Sequence, residues 1–316
     1  MNFRLIIVFI FFTIISITYS QQTHKIAVTI DDLPLQRIDS YNPSEYENIF
    51  NKLIAEIKLQ KTYAIGFVNE SKLYSNGKKD NRRIKLLENW LNAGLELGNH
   101  TYAHKSPHSA PVAEYEEDIL KGEETIKELL RKRGKNLKYF RHPFLNTGRT
   151  LEVKNETNNF LKEHGYTIAP VTVDNSEWIF ARAYDLASDS GKVEMMVKIG
   201  GEYIAYMEKR MEYWENQSKA LFGRNIAHVL LIHANKLNSD YYGSLCGMIR
   251  KRNYEFASLD EALKDEAYKS EDTFIRNAGI SWIHRWALTL KKGKEFFAGE
   301  TACPQYIMKY AKVESE

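Results

Sequence analysis

The sequence predicts an α/β protein, a distorted or incomplete (β/α) barrel of about seven parallel strands. Three observations support this. Short apolar runs alternate with longer stretches of helical period. Nearly every apolar run closes on a polar residue able to do chemistry. No glycine-rich phosphate loop follows the first run, which argues against a dinucleotide-binding sheet.

The predicted strands are residues 25–30, 62–68, 95–99, 138–141, 167–173, 228–232 and 254–257. Helices are expected between them at 44–58, 83–93, 113–131, 153–164 and 241–252. Ser258-Leu259-Asp260-Glu261 opens one more in the style of a capping box. Residues 185–221 interrupt the rhythm with a charged helical stretch bearing Met and Tyr, read as a packed insertion rather than a binding element. Beyond Tyr268 the alternation stops. Residues 269–316 read as a C-terminal extension wrapping the domain, with Trp282 and Trp286 as core anchors.

Met1 to Arg4 carries a positive charge, residues 5–17 are almost unbroken apolar sequence, and Thr18-Tyr19-Ser20 follows. This is the pattern of a secretory signal peptide over residues 1–20. Its apolar core of about 13 residues is short of the roughly 20 that span a bilayer. Cleavage after Ser20 leaves no stable membrane span and an exported chain, periplasmic or extracellular, whose main domain covers residues 21–268. The formal charge of +3, with both signs interspersed, offers no patch for nucleic acid. Cys246 and Cys303 are too few for a disulfide framework; one bridge, if the tail folds back, or two unpaired thiols are both open.

Thr29-Ile30-Asp31-Asp32 closes the first strand, His100-Thr101-Tyr102-Ala103-His104 follows the third, and Arg141-His142-Pro143 closes the fourth. Asp174 closes the fifth and His233 the sixth. In a parallel barrel these strand ends meet at one face. His100 and His104, four apart, can face one point across a turn. With one Asp they leave a position open for water, as a catalytic metal site requires. The mixed N/O set suits Zn²⁺ best, while Co²⁺, Fe²⁺, Ni²⁺ and Mn²⁺ also fit. Adjacent Asp31 and Asp32 should point in opposite directions on extended backbone, one to ligate and one to accept a proton. His233 can protonate a departing amine or alcohol. Asp174 and Arg141 are candidates for ordering that half of the site, Arg141 through a bidentate contact to a carboxylate.

This ordered set resembles the polysaccharide deacetylases of carbohydrate esterase family 4, the NodB homology domain, over residues 25–263. The resemblance implies that Asp31 is the general base and that Asp32, His100 and His104 bind one divalent metal. It further implies that Arg141 holds the base and that the Phe144 amide stabilises an oxyanion. Asp174 would sit beside the acid His233, and Trp178 would wall the groove. Three departures mark a divergent branch. Leu33 and Leu145 stand where the family usually has Gly, with Gly148 as a stand-in for the second, and Glu177 stands where Asp is common.

The function so implied is a metal-dependent hydrolase, acting on carbon–nitrogen (non-peptide) or ester bonds, that deacetylates an N- or O-acetylated carbohydrate. Two other readings stay open. One is a metal-dependent amidohydrolase acting on a non-carbohydrate acylated small molecule, favoured by a closed pocket over an aromatic-lined groove. The other is a catalytically silent carbohydrate-binding protein, which would lack a base, ligand or acid; none is missing here.

Overall fold

The computed structural model describes residues 23–316. The predicted signal segment lies outside them. Among the described residues no helix is long and apolar enough to cross a membrane.

Seven strands form the main sheet: β1 (His24–Leu33), β2 (Ala64–Val68), β3 (Glu96–Asn99), β4 (Tyr139–Phe140), β5 (Thr167–Ile168), β6 (His228–His233) and β7 (Tyr254–Phe256). Their order is β5-β4-β3-β2-β1-β6, with β7 on the first residues of β1. All these pairings are parallel, and helices surround the sheet, giving an incomplete (β/α) barrel. Register does the functional work. Asp31 pairs with His233, Val68 with Asn99, and Asn99 with Phe140, so the residues that follow each strand emerge at one rim.

Three elements differ from expectation for physical reasons. The strand expected over 167–173 ends at Ile168, because Pro170 offers no N–H to a ladder; Val173 then makes an isolated parallel bridge to Leu230. The single helix expected over 113–131 is two, Val112–Lys121 and Glu124–Arg131, parted at Gly122. A Cβ there would lie 2.4 Å from the backbone carbon of Thr101, so only glycine lets this helix end approach the loop bearing the histidines. At Ser258 half of the capping box forms: Ser258 Oγ accepts from Glu261 N–H at 3.2 Å, while the Glu261 carboxylate turns to Lys25 and Lys264, each at 2.6 Å.

The segment after β5 folds as Glu177–Asp189 and the long helix Val193–Phe222. The latter buries Tyr203, Met207, Met211 and Trp214 and stops where Gly223 takes φ 71°. In the C-terminal segment the helix Trp282–Thr289 buries both tryptophans, and Trp286 packs edge-on against Phe222 and Tyr268. Cys246 and Cys303 are buried free thiols.

Candidate active site and metal centre

Thr29 Oγ donates to the Leu230 carbonyl at 2.8 Å, tying β1 to β6 just before Asp31 and Asp32. The two carboxylates do not diverge as strand alternation predicts. Asp32 takes φ 67° and the register with β2 shifts between Ile30 and Leu33, so both line one cavity. Leu33, at the position where glycine was expected, keeps out of the left-handed region because Asp32 takes it instead; Leu33 is followed by a cis bond to Pro34.

The His100 to His104 segment is a loop, not a helical turn. Thr101 (φ 66°) and His104 (φ 56°) both adopt left-handed backbone, which brings the two rings to 4.8 Å between centroids. Such residues persist only where the surroundings over-determine them, and here Asp118 does so. Its carboxylate accepts from the Ala103 amide at 3.1 and 3.2 Å and from that of Lys105 at 3.3 Å; its carbonyl accepts from Tyr102 N–H at 2.9 Å. Asn69 Nδ2 donates to the His100 carbonyl at 2.6 Å. Sequence reasoning missed Asp118, which lies mid-helix with nothing local to mark it.

Asp32, His100 and His104 offer ligand atoms that all lie within 4.8 Å of one another. The His100 Nδ1–H donates to the Arg141 carbonyl at 2.8 Å, which fixes the tautomer and leaves Nε2 for the centre. Burial above all, with neighbouring positive charge, lowers His100 and His104 to about 4, so both are neutral at pH 7, as ligands must be. Burial opposes ionisation of Asp32, but Lys72, His104, His233 and His100 outweigh it and hold the carboxyl well below its usual range. Lys72 Nζ stands 3.8 Å from Asp32 Oδ2, anchored on the Gln36 carbonyl at 2.6 Å. Two neutral imidazoles and an ionised carboxylate fit a divalent ion of the zinc type.

Asp31 is buried, and burial raises its pKa although Arg141 and His233 pull it down. The contact expected of Arg141 is not bidentate. Its Nη1–H reaches Asp31 Oδ2 at 3.4 Å, while Nη2–H donates to Thr29 Oγ at 2.9 Å. The fork is shared between the Asp31 carboxylate and the Thr29 hydroxyl, which in turn donates to the Leu230 carbonyl. Asp31 Oδ1 is left buried without a hydrogen-bond partner among the described residues.

Asp174 is not the partner of His233. Its carboxylate accepts from the amide of Asn175 at 2.9 Å and its carbonyl from Trp214 Nε1 at 2.8 Å. Glu177, fully buried, takes the place instead: Oε2 meets His233 Nδ1 at 2.8 Å, and Oε1 accepts from Asn235 at 2.5 Å and Asn238 at 2.7 Å. The longer side chain, set at the start of a helix, reaches the histidine from one turn further on. Its presence where Asp is common was the signal in the sequence. Burial would lower His233, but the hydrogen bond and charge of Glu177, with Asp32 and Asp31, raise it to about 9. Asp174 still lines the cavity, as does Trp178.

The cavity holds about 390 Å³ and is lined by Asp31, Asp32, His100, His104, His233, Phe144 and Trp178 among others. Phe144 is 61% exposed and sets its ring edge-on to His104 at 4.4 Å. Phe144 (φ 55°) and Leu145 (φ 53°) are both left-handed, so Leu145 itself adopts the conformation expected of glycine. Gly148 (φ 120°) does not substitute for it; it packs against the backbone of Lys154 at the next helix.

Residues 18–169 match the family model described as polysaccharide deacetylase, a span that holds the first three motifs and stops short of Asp174 and His233. No curated protein sequence matches the chain. Among solved structures, two mutants of BA3943 are similar at 12% identity, each over 76% of this chain. One, a family 4 pseudoenzyme with restored enzymatic activity, is matched over 68% of its length with a TM-score of 0.50. The other, a family 4 pseudoenzyme, is matched over 67% with a TM-score of 0.51. The peptidoglycan deacetylase PdaC of Bacillus subtilis is 19% identical over 77% of this chain and 92% of its own, with a TM-score of 0.48. At such identities the likeness to the two BA3943 mutants speaks for the fold alone. Over residues 18–169, with its motifs in the family's order, this chain is similar to the polysaccharide deacetylases of carbohydrate esterase family 4.

Proposed function

We propose that this protein is an exported, divalent-metal-dependent deacetylase of an N- or O-acetylated carbohydrate, with Zn²⁺ as the preferred ion. One observation carries the reading. Three ligand side chains converge beside a buried carboxylate with an unpartnered oxygen, opposite a histidine held on a buried glutamate. The family-model match over residues 18–169 supports the reaction type, and the pseudoenzymes of similar fold make completeness of the site the deciding question.

Asp32, His100 and His104 hold the ion in this reading. The ion, when bound, supplies a Lewis acid for the acetyl carbonyl and acidifies water. Asp31 Oδ1 accepts the proton of the attacking water, while Arg141, braced on the Thr29 hydroxyl, holds the other carboxylate oxygen. The Phe144 amide donates to the oxyanion. His233 delivers its proton to the leaving nitrogen or oxygen, oriented through Nδ1 by Glu177. Trp178, 36% exposed at the cavity wall, offers a flat apolar face for a sugar ring. That partly exposed wall favours a saccharide over a small molecule enclosed on all sides.

The test is acetate release from acetylated chitooligosaccharides, peptidoglycan fragments and acetylated xylan, using chelated protein with and without added Zn²⁺ or Co²⁺. Metal-restored release from at least one substrate is expected. No release from any of them at full metal occupancy would remove the carbohydrate deacetylase reading and leave an amidohydrolase of a non-carbohydrate small molecule or a silent binding protein.

A further inference from the structure

The C-terminal segment reaches the active site through a buried arginine that no sequence motif marks. Arg285 is fully buried. Its Nη2–H donates to the Leu145 carbonyl, Nη1–H to Thr147 Oγ at 2.9 Å and Nε–H to the Ile280 carbonyl at 3.1 Å. Asp272 supplies the counter-charge, with Oδ2 at 3.5 Å. The guanidinium is stacked over Trp282 at 4.0 Å and near Phe274 at 5.1 Å. Burial pulls it down to about 10 against the opposing pull of Asp272, so it stays charged at neutral pH. A buried charge is tolerated only where partners satisfy it, and a stacked planar fork holds its donors in fixed directions.

The grip falls on the Pro143–Leu145 turn, whose Phe144 and Leu145 are both left-handed and not glycine. Gly279 of the same segment, which also lines the cavity, lies directly against it. A Cβ at Gly279 would lie 1.9 Å from the Phe144 carbonyl oxygen and 2.6 Å from the Leu145 carbonyl carbon. Between these contacts the segment is fixed to the strand region, with Ser281 Oγ donating to the Thr172 carbonyl at 2.9 Å and Trp282 N–H to that of Val171 at 2.7 Å. A second arginine grips backbone at another cavity-lining residue, Asp174. Arg210, on the long helix, donates Nε–H at 3.0 Å and Nη2–H at 2.5 Å to the Asp174 carbonyl, and Nη1–H at 3.1 Å to that of Thr301 in the C-terminal segment.

We propose that the C-terminal segment is a buttress of the active site, and that Arg285 is a positioning residue holding the Phe144 and Leu145 backbone at the cavity. The catalytic consequence rests on the reading of the Phe144 amide as oxyanion donor. Arg285 touches no substrate; it acts through the turn. The buttress accounts for how Leu145 occupies a left-handed backbone conformation that favours glycine.

The test uses the full chain, metal-loaded, with Arg285→Met, Gly279→Ala and the packing control Trp286→Phe. Acetate-release kinetics are paired with amide hydrogen exchange over residues 140–150. Arg285→Met should lower kcat by about 100-fold, as misplacement on the 1 Å scale does, with KM within twofold and metal content unchanged. Exchange should quicken at residues 143–147 and stay as in the parent elsewhere. Gly279→Ala, which keeps the charge and displaces the turn, should act in the same direction and serves if Arg285→Met fails to fold. Trp286→Phe should lower the melting temperature while kcat holds. Unchanged kcat with an active parent, or a fall matched by Trp286→Phe at equal loss of stability, overturns the positioning role. If the parent itself releases no acetate, the deacetylase reading is what has failed. Exchange then decides the clamp alone: faster exchange at 143–147 supports it and unchanged exchange overturns it.

Discussion

Glu177 and Asp31 place protons at the two ends of the proposed reaction, and their environments push them to different tasks. The buried Glu177 keeps His233 protonated to about pH 9, the form a general acid needs. Because this pKa lies above the ordinary value near 6.5, the stability it confers is present below pH 6.5 and lost as pH rises through about 9. Turnover should therefore show an alkaline limb governed by His233. Glu177→Gln removes the charge and should move that limb to lower pH; a limb that stays in place would detach His233 from the acid role. Asp31→Asn keeps the shape of the side chain and removes its basicity. It should cost about 10²- to 10⁴-fold in kcat with the bound metal, counted by elemental analysis, unchanged. A variant with ordinary turnover would end the assignment of Asp31 as base.

The loops between strands and helices decide whether these residues meet. The histidine loop is shaped by Asp118, which nests its amides, and by Gly122, which lets the helix end approach. In Gly122→Ala the new Cβ would meet Thr101 and Tyr102 backbone at 2.4 and 2.7 Å, contacts that no rotamer change relieves. Overpacking of this kind typically costs about 1–3 kcal/mol. Here the strain would fall on the loop that carries two of the three ligands. The variant should bind Zn²⁺ about tenfold more weakly or worse, roughly 1.4 kcal/mol, as read by chelator competition. An unchanged affinity would mean that the loop holds its shape without the helix.

For the molecule as a whole, the site lies at one rim of a half-closed barrel, with the long helix and the C-terminal segment packed beside the cavity. Burial there keeps His100 and His104 neutral down to about pH 4, while unfolded histidines titrate near 6.5. The sign follows from proton counts. Between pH 6.5 and 4 the unfolded chain binds more protons, so the metal-free protein loses stability as pH falls across that window. Proton competition with a bound divalent ion should set in near pH 4 rather than near 6.5. Metal content after dialysis at graded pH checks this, and wholesale release by pH 6 would contradict the buried ligand set.

The alternation of apolar runs and the polar residue at each strand end were enough to read the seven strands, the barrel class and the residues that gather at its rim. They are local facts, set by side-chain type and period, and parallel register then carries strand ends to one face. The pairings at the site were not legible in the same way. That Glu177 rather than Asp174 meets His233, that Arg141 divides its fork between Asp31 and Thr29, and that both aspartates face one cavity depend on left-handed turns and reach. Those are differences of a few ångströms that spacing does not encode. The roles of Asp118, Arg210 and Arg285 lie further still from sequence, because each acts on backbone between 13 and 140 residues away. The sequence determined which chemistry this chain can gather; tertiary packing decided which groups touch, because hydrogen bonds and buried charges are satisfied in space and not along the chain.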